Sequence, residues 1–226
     1  MPNKFPLSYS KVNTFDICPL QFSKVYVTKE VKDEGNEHTQ YGERVHESLA
    51  QYGKTKSALT LTKETEQWRG LVDRLRRQPG EKFWEYQMAI DQDLEQVDWF
   101  DRAAWLRAIA DVLVIYKDKA KLFDWKTGAK VKEDMLQMQI FASVVFFCFE
   151  EVQEVTTGLV FLKPNKIVPQ TFIRDNLEGM WKRLMKKFDK VQDAVDCGVF
   201  TARPNHPFPC NWCPAKNQCE YNKGWR

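Results

Sequence analysis

Residues 105–126 read WLRAIADVLVIYKDKAKLFDWK and contain two runs rich in β-branched and aromatic residues. These runs, 105–116 and 122–126, have the composition of β-strands, and the polar segment between them is typical of a turn. We therefore predict a β-hairpin at the centre of the fold. Asp111 and Asp124 interrupt otherwise apolar strands, which makes them the first candidates for a functional site.

The segments around this hairpin alternate between helical and strand patterns. Apolar Tyr41, Val45 and Leu49 recur every four residues, which predicts one face of an amphipathic helix over 40–52. Further helices are predicted at 63–77, 133–150 and 176–197, and further strands at 83–90, 155–162 and 167–172. Because helices come first and strands are then interleaved with helices, we expect a mixed α/β (α+β) fold.

The chain is predicted to form a single domain, because no repeat or linker divides its 226 residues. It has three parts: a mainly helical part (1–80), a central core (81–197) and a cysteine-rich tail (198–226). With 43% hydrophobic residues, the chain can bury one sizeable core.

Charge and hydropathy limit the class of protein. The net charge of +3 neither requires nor excludes a nucleic-acid partner. The longest apolar run, 140–149, is about half of the roughly 20 residues that span a membrane, so no membrane segment is expected. The first ten residues lack a signal peptide's apolar stretch, and six cysteines are too few for a disulfide scaffold of this length. We therefore expect a cytoplasmic protein.

Asp124 and Lys126 lie two residues apart on the second predicted strand, so both side chains point to one face. If the hairpin pairs Tyr116 with Lys121, Asp111 lies opposite Lys126 on that face, whereas a loop of odd length would turn Asp111 away. Two buried aspartates need neutralisation, which Mg²⁺ or Mn²⁺ would supply. Lys126 would then orient an attacking water or offset charge on a phosphate. The alternative is a structural salt bridge between Lys126 and an aspartate.

Two further residues are candidates for this metal site. His46 lies beside the apolar stripe of its helix, one turn after Gly42, and is either a metal ligand or an ordinary core or surface residue. Glu85, on the strand before Asp111, either joins the site or is an edge residue. A histidine beside two aspartates would favour Mn²⁺ as well as Mg²⁺.

The tail carries three cysteines whose spacing is typical of a metal or cluster site. They are Cys210, Cys213 and Cys219. A tetrahedral zinc or a four-iron cluster needs a fourth thiolate. Cys18, at a break between helices, is the best candidate, because Cys148 lies in an apolar run and Cys197 ends a long helix. We rank iron–sulfur slightly above zinc, and either site would join the two ends of the chain.

The predicted helix 176–197 carries basic residues three or four positions apart, which form one face. They are Lys182, Arg183, Lys186, Lys187 and Lys190. Such a face is either merely solvated or a contact surface for DNA phosphates. Trp212 in the tail is a candidate stacking platform for a base.

Six short motifs follow one another along the chain. They are Ser8–Pro19 around Cys18, Gly42–His46, Ala110–Asp111, Asp124–Lys126, Gln137–Phe141 and the tail cysteines. In order and spacing they resemble the RecB-like branch of the PD-(D/E)XK nucleases, most closely the iron–sulfur exonucleases associated with CRISPR adaptation and their phage relatives. The resemblance covers nearly the whole chain. It implies a restriction-endonuclease-like core sheet flanked by helices.

The same resemblance implies the roles of the site residues. His46, Asp111 and Asp124 would bind Mg²⁺ or Mn²⁺, with Lys126 and Gln137 completing the catalytic set. Phe141, which replaces the family's usual tyrosine, would help Gln137 to position the nucleic acid. The four cysteines Cys18, Cys210, Cys213 and Cys219 would hold a [4Fe-4S] cluster.

The implied activity is that of a metal-dependent exonuclease acting on DNA ends or single strands, in DNA repair or recombination. The sequence contains no Gly-x-x-x-x-Gly-Lys-Ser/Thr motif, so a helicase or recombination protein would be a separate partner. Two alternatives stay open: a DNA-binding or adaptor protein of the same fold without cleavage, and a zinc-binding module.

Overall fold

A seven-stranded sheet with helices on both faces forms the framework of the chain. The structure, a computed structural model, describes residues 4–204, 210 and 213–222. The helices are α1 (Tyr9–Ile17), α2 (Pro19–Phe22), α3 (Glu37–Thr55), α4 (Arg69–Arg77), α5 (Met135–Cys148) and α6 (Leu177–Cys197). The strands are β1 (Leu7–Ser8), β2 (Glu81–Ile90), β3 (Gln96–Val97), β4 (Leu106–Tyr116), β5 (Lys119–Lys126), β6 (Glu154–Phe161) and β7 (Lys166–Ile173). This confirms the predicted mixed α/β fold.

The strands run in the order β3-β2-β4-β5-β6-β7, and the short β1 pairs in parallel with β4. Strands β5 and β6 are parallel, and α5 makes the crossover between them, as a parallel pair requires. The other pairs are antiparallel. Within the described ranges, no helix is long and apolar enough to span a membrane.

The two faces of the sheet are covered by different helices. Helices α1, α5 and α6 contribute to the larger core cluster, where α5 is buried almost all round, as its apolar sequence predicts. Helices α3 and α4 contribute to a second cluster with Phe123 and Trp125 of β5. These two side chains therefore lie on the opposite face from Leu122, as the strand alternation predicts.

Helix α3, which carries His46, is fixed at its start and along its apolar face. Asn36 Oδ1 accepts hydrogen bonds from two main-chain N–H groups of the first turn, so the helix begins before the predicted residue 40. Leu49 is fully buried against the sheet. Near the end of α3, the ring of Trp84 occupies the space that a Cβ at Gly53 would need, so the absence of a side chain there lets helix and strand approach closely.

The hairpin register differs from the predicted one. Tyr116 pairs with Lys119 and not with Lys121, because the loop has two residues and β5 begins earlier. Exposed Lys119 and Lys121 alternate with buried neighbours, which is the pattern of a strand with one solvated face. The pairing ladder ends at Val112 and Phe123, so continuing the register puts Asp111 opposite Asp124. The predicted position opposite Lys126 is therefore wrong by two residues.

Strands β2 and β4 are interrupted where Glu85 faces Asp111. The ladder pairs residues on both sides of this position, but Glu85 itself has a left-handed backbone with φ of 50°. Trp84 packs on the α3 face, whereas Tyr86 packs on the α5 face. A non-glycine residue in this conformation costs about 1–3 kcal/mol and is typical of functional sites.

Candidate active site

Imidazole and carboxylate side chains converge at this interruption of the sheet. One ligand atom each of His46, Glu85 and Asp111 lies within 4.8 Å of the other two. His46 reaches the site from α3, and its Nδ1 lies 3.0 Å from Asp111 Oδ1. Among the described residues, this is the one group of three or more His, Cys, Asp or Glu side chains whose ligand atoms come this close to one another.

Asp111 connects this group to strand β5. The main-chain N–H of Trp125 donates to Asp111 Oδ2 at 2.6 Å, while Oδ1 faces His46. Because Asp111 is only 5% exposed, both of its oxygens are held by neighbours and not by bulk water. This contact brings Asp111 next to Asp124, in agreement with the register of the hairpin.

The side-chain amide of Gln137, at the start of α5, bridges Asp124 and Lys126. Its Nε2 donates to Asp124 Oδ1 at 2.9 Å, and its Oε1 accepts from Lys126 Nζ at 2.7 Å. Lys126 Nζ also forms an ion pair with Asp124 Oδ2 at 2.8 Å. Gln137 is buried, so the carboxylate, the amide and the ammonium hold one another in place.

The electrostatics of the site fit a divalent cation. Burial and the charge of Asp111 raise the pKa of both Glu85 and Asp124. Burial lowers the pKa of His46, but its hydrogen bond to Asp111 and the nearby carboxylates outweigh burial and raise it. Glu85 Oε1 is buried without a hydrogen bond. A cation held by imidazole and carboxylates would supply the missing partner and neutralise the excess negative charge.

The four predicted cysteines line one cavity. Cys18, directly after α1, is brought together there with the three tail residues Cys210, Cys213 and Cys219. All four are free of disulfides. Burial, together with the charges of the neighbouring cysteines, raises the pKa of Cys210 and Cys213, which reflects their proximity. Cys197, in contrast, is exposed at the end of α6.

The residues predicted to contact DNA differ in their exposure and in their partners. Lys182, Arg183 and Lys186 are exposed on α6, as a binding face requires. Lys187, however, pairs with Asp16 of α1 and has a structural partner. Phe141 is 4% exposed and its ring packs in the larger core cluster, and its role in positioning nucleic acid stays a prediction. Trp212 lies outside the described residues.

Two residues next to the network of Asp124, Gln137 and Lys126 were not predicted from the sequence. Asp134 is the N-cap of α5, where its Oδ1 accepts from the Gln137 main-chain N–H at 3.0 Å. The hydroxyl of Tyr9 donates to Asp134 Oδ2. An aspartate before a helix is a recognisable cap signal. Its contact with Tyr9 had no such signal, because the two residues are far apart in sequence.

Comparisons with known proteins bear on the family and the fold of the chain. The sequence matches the PD-(D/E)XK nuclease superfamily over residues 6–220. A proposed exonuclease from Eubacterium rectale has a similar solved structure, with a TM-score of 0.58 and 13% identity over 96% of this chain and 88% of its own. At that identity the likeness shows the fold alone. The structure of SSO0001 is 14% identical over 99% of this chain and 90% of its own, and its TM-score of 0.45 supports no conclusion.

No curated protein matches the chain. The superfamily match nevertheless extends from the N-terminal strand to the last tail cysteine, and so includes every residue of the site described above. The seven-stranded sheet with flanking helices is consistent with the restriction-endonuclease-like fold. The chain therefore belongs to the PD-(D/E)XK nuclease superfamily.

Proposed function

We propose that the protein is a metal-dependent DNA exonuclease of the RecB-like, iron–sulfur-containing branch of this superfamily. The observation that carries the proposal is the convergence of His46, Glu85 and Asp111 beside the Asp124–Lys126 pair. A structural salt bridge gives no reason for three carboxylates to lie together, whereas a divalent cation would neutralise them. The superfamily match supports the nuclease reaction.

In this proposal His46, Asp111 and Asp124 hold Mg²⁺ or Mn²⁺, and Glu85 adds a further carboxylate. When bound, the cation would attract a phosphate oxygen and make an attacking water more acidic. His46 keeps its orientation through the hydrogen bond to Asp111, and Asp111 through the Trp125 main chain. These contacts fix the ligands before the substrate arrives, which lowers the cost of reorganisation.

Lys126 is proposed to act on the phosphate that is cleaved. Its side chain is 30% exposed, so the ammonium is accessible from solvent while Gln137 and Asp124 anchor it. A fixed positive charge at this place would stabilise the negative charge that develops on the phosphoryl group. Gln137 contributes by holding Lys126 and Asp124 at a constant separation.

The cysteine cavity is proposed to hold a [4Fe-4S] cluster with a structural role. Cys18 comes from the N-terminal helices and Cys210, Cys213 and Cys219 from the tail, so a bound cluster would join parts 1–80 and 198–226 of one domain. Four thiolates also suit zinc. The resemblance of the cysteine motif to iron–sulfur exonucleases favours iron.

DNA is the proposed substrate, with ends or single strands preferred. The exposed Lys182, Arg183 and Lys186 on α6 are proposed to contact phosphates, which would make binding depend on salt concentration. A helicase or recombination protein would act as a separate partner in DNA repair or recombination. Within the proposal, the nuclease itself carries out only the hydrolysis.

The proposal is tested with linear oligonucleotides labelled at either end and with circular single-stranded DNA. We expect Mn²⁺ or Mg²⁺ to support progressive shortening of the linear DNA, with the circle intact, and EDTA to stop the reaction. Degradation of the circle at the same rate would contradict the exonuclease assignment alone. If neither metal supports cleavage of any substrate, the nuclease proposal itself is wrong.

A further inference from the structure

The first helix of the chain touches the catalytic set through a buried contact. Tyr9 is the first residue of α1, and its hydroxyl donates to Asp134 Oδ2. Burial, this hydrogen bond and the negative charges of Asp134 and Asp124 raise the pKa of Tyr9. The hydroxyl therefore keeps its proton and acts as the donor in this contact.

Asp134 connects Tyr9 to Gln137 through its second carboxylate oxygen. Its other oxygen, Oδ1, caps α5 by accepting the Gln137 main-chain N–H. The Gln137 side chain then bridges Asp124 and Lys126. A continuous series of hydrogen bonds thus runs from Tyr9 to the proposed metal ligand and the proposed catalytic lysine.

Helix α1 is held in place by its contacts with the core and with α6, so the position of Tyr9 is fixed as well. Val12 is fully buried in the larger core cluster, and Phe15 is 9% exposed. Asp16 forms an ion pair with Lys187 of α6. Directly after the helix, Cys18 lines the cysteine cavity, about 14 Å from Tyr9 at the rise of an α-helix. One end of α1 thus lies at the catalytic set and the other at the cysteine cavity.

We propose that Tyr9 is a positioning residue of the nuclease, which acts through Asp134 and Gln137 to hold Asp124 and Lys126 in their working geometry. The inference rests on the proposed function, because it assigns Asp124 to the metal and Lys126 to the phosphate. Loss of a group that hydrogen-bonds directly to a metal ligand, as Gln137 does to Asp124, typically costs about 10–100-fold in metal affinity or activity. We expect Tyr9, which acts on Gln137 through Asp134, to fall at the lower end of that range.

The test is the variant Tyr9→Phe in the full chain, which removes one hydroxyl and keeps the ring. Calorimetric titration with Mn²⁺ in the absence of DNA should show a dissociation constant about tenfold higher than in the wild type. At saturating Mn²⁺, kcat on single-stranded DNA should fall about tenfold with KM unchanged, because Lys126 is held less firmly. The iron content should stay the same, since the cysteines are intact.

A matched control and a second variant separate positioning from folding. Tyr26→Phe makes the same chemical change on the N-terminal helices. In the described part of the chain its ring contacts are seen, but no hydrogen bond from its hydroxyl. We expect no effect of this control. Asp134→Ser keeps a helix cap but is too short to reach Tyr9, and should reproduce the tenfold losses even if Tyr9→Phe folds poorly.

A double variant tests whether Tyr9 acts through Gln137. Because Tyr9 acts only through Gln137, adding Tyr9→Phe to Gln137→Ala should cause no further loss. The proposal is overturned if Mn²⁺ affinity and kcat stay within twofold of the wild type in both Tyr9→Phe and Asp134→Ser. It is also overturned if the losses multiply in the double variant, or if Tyr26→Phe loses as much as Tyr9→Phe. A wild type that binds Mn²⁺ but degrades no DNA would overturn the proposed function, and the Mn²⁺ affinities would still decide the role of Tyr9.

Discussion

Asp124→Asn is expected to degrade DNA about 1000-fold more slowly than the wild type, because the metal site loses a charged ligand that supports several kcal/mol of transition-state stabilisation. The side chain keeps its shape and an oxygen that can accept from Gln137 Nε2, so the fold should be retained. The measurement is the initial rate on end-labelled single-stranded DNA at saturating Mn²⁺.

The same variant should be more stable than the wild type when metal is removed. Asp124 is 8% exposed and lies near a second buried carboxylate, Asp111, so replacing its charge with a neutral amide relieves repulsion. We expect a gain in the free energy of unfolding of about 1 kcal/mol, or about 2–4 °C in Tm for a chain of this size. Lower activity with higher stability is the signature of a charged site kept for function.

Lys121→Ala is the matched control for Asp124→Asn, since Lys121 lies on the same strand but is exposed. It should change neither the rate nor the Tm in EDTA. If Asp124→Asn cleaves DNA within tenfold of the wild type, Asp124 is not a ligand of the catalytic metal. A fall in its Tm in EDTA would mean that the ion pair with Lys126 outweighs the repulsion from Asp111.

The second large effect is expected for Cys18→Ser. This variant should lose iron and the absorbance of the cluster, and its free energy of unfolding should fall by at least about 2 kcal/mol. The reason is that a bound cluster would hold the N-terminal helices to the tail through four ligand bonds. Without it, the two parts keep non-covalent contacts such as that between the rings of Phe22 and Phe200. Metal analysis and thermal unfolding under anaerobic conditions measure both quantities.

Cys197→Ala provides the control for this loss, because Cys197 is an exposed thiol at the end of α6. Iron content and Tm should be unchanged. Full retention of iron in Cys18→Ser would remove Cys18 from the ligand set. Stoichiometric zinc in an anaerobic, colourless wild-type preparation would instead show that the same cysteines hold zinc.

Much of the fold followed from local patterns in the sequence. The two strands of the hairpin were predictable because apolar and β-branched residues dominate them, and α5 because its apolar run has helical length. The convergence of the four cysteines followed from their spacing and from the chemistry of four-coordinate sites. These features depend on residue type and spacing, which a sequence shows directly.

The parts that escaped prediction depend on backbone geometry and on contacts that residue types alone do not show. The register of the hairpin was set by a two-residue loop, which moved Asp111 opposite Asp124 instead of Lys126. Nothing local marks Glu85 as a residue with a left-handed backbone. The contact of Tyr9 with Asp134 joins positions that only the folded chain brings together.

Phe141 shows a different limit of the sequence. The short motif that contains it predicts a role in positioning nucleic acid, which stays a prediction, and the burial of α5 on nearly all sides leaves its ring 4% exposed. Gln137, four residues earlier on α5, is also buried, yet its amide reaches Asp124 and Lys126. Within this one motif, therefore, the Phe141 ring packs in the core, whereas the Gln137 amide makes polar contacts.

X-ray diffraction from crystals grown with Mn²⁺ tests the metal site most directly, because the anomalous signal identifies the ion independently of activity. We expect one Mn²⁺ ion in contact with His46, Asp111 and Asp124, and loss of that ion in crystals of Asp124→Asn. A wild-type crystal in which Mn²⁺ is absent from these side chains, or binds only elsewhere, would contradict the assignment of this site as the metal centre of the nuclease.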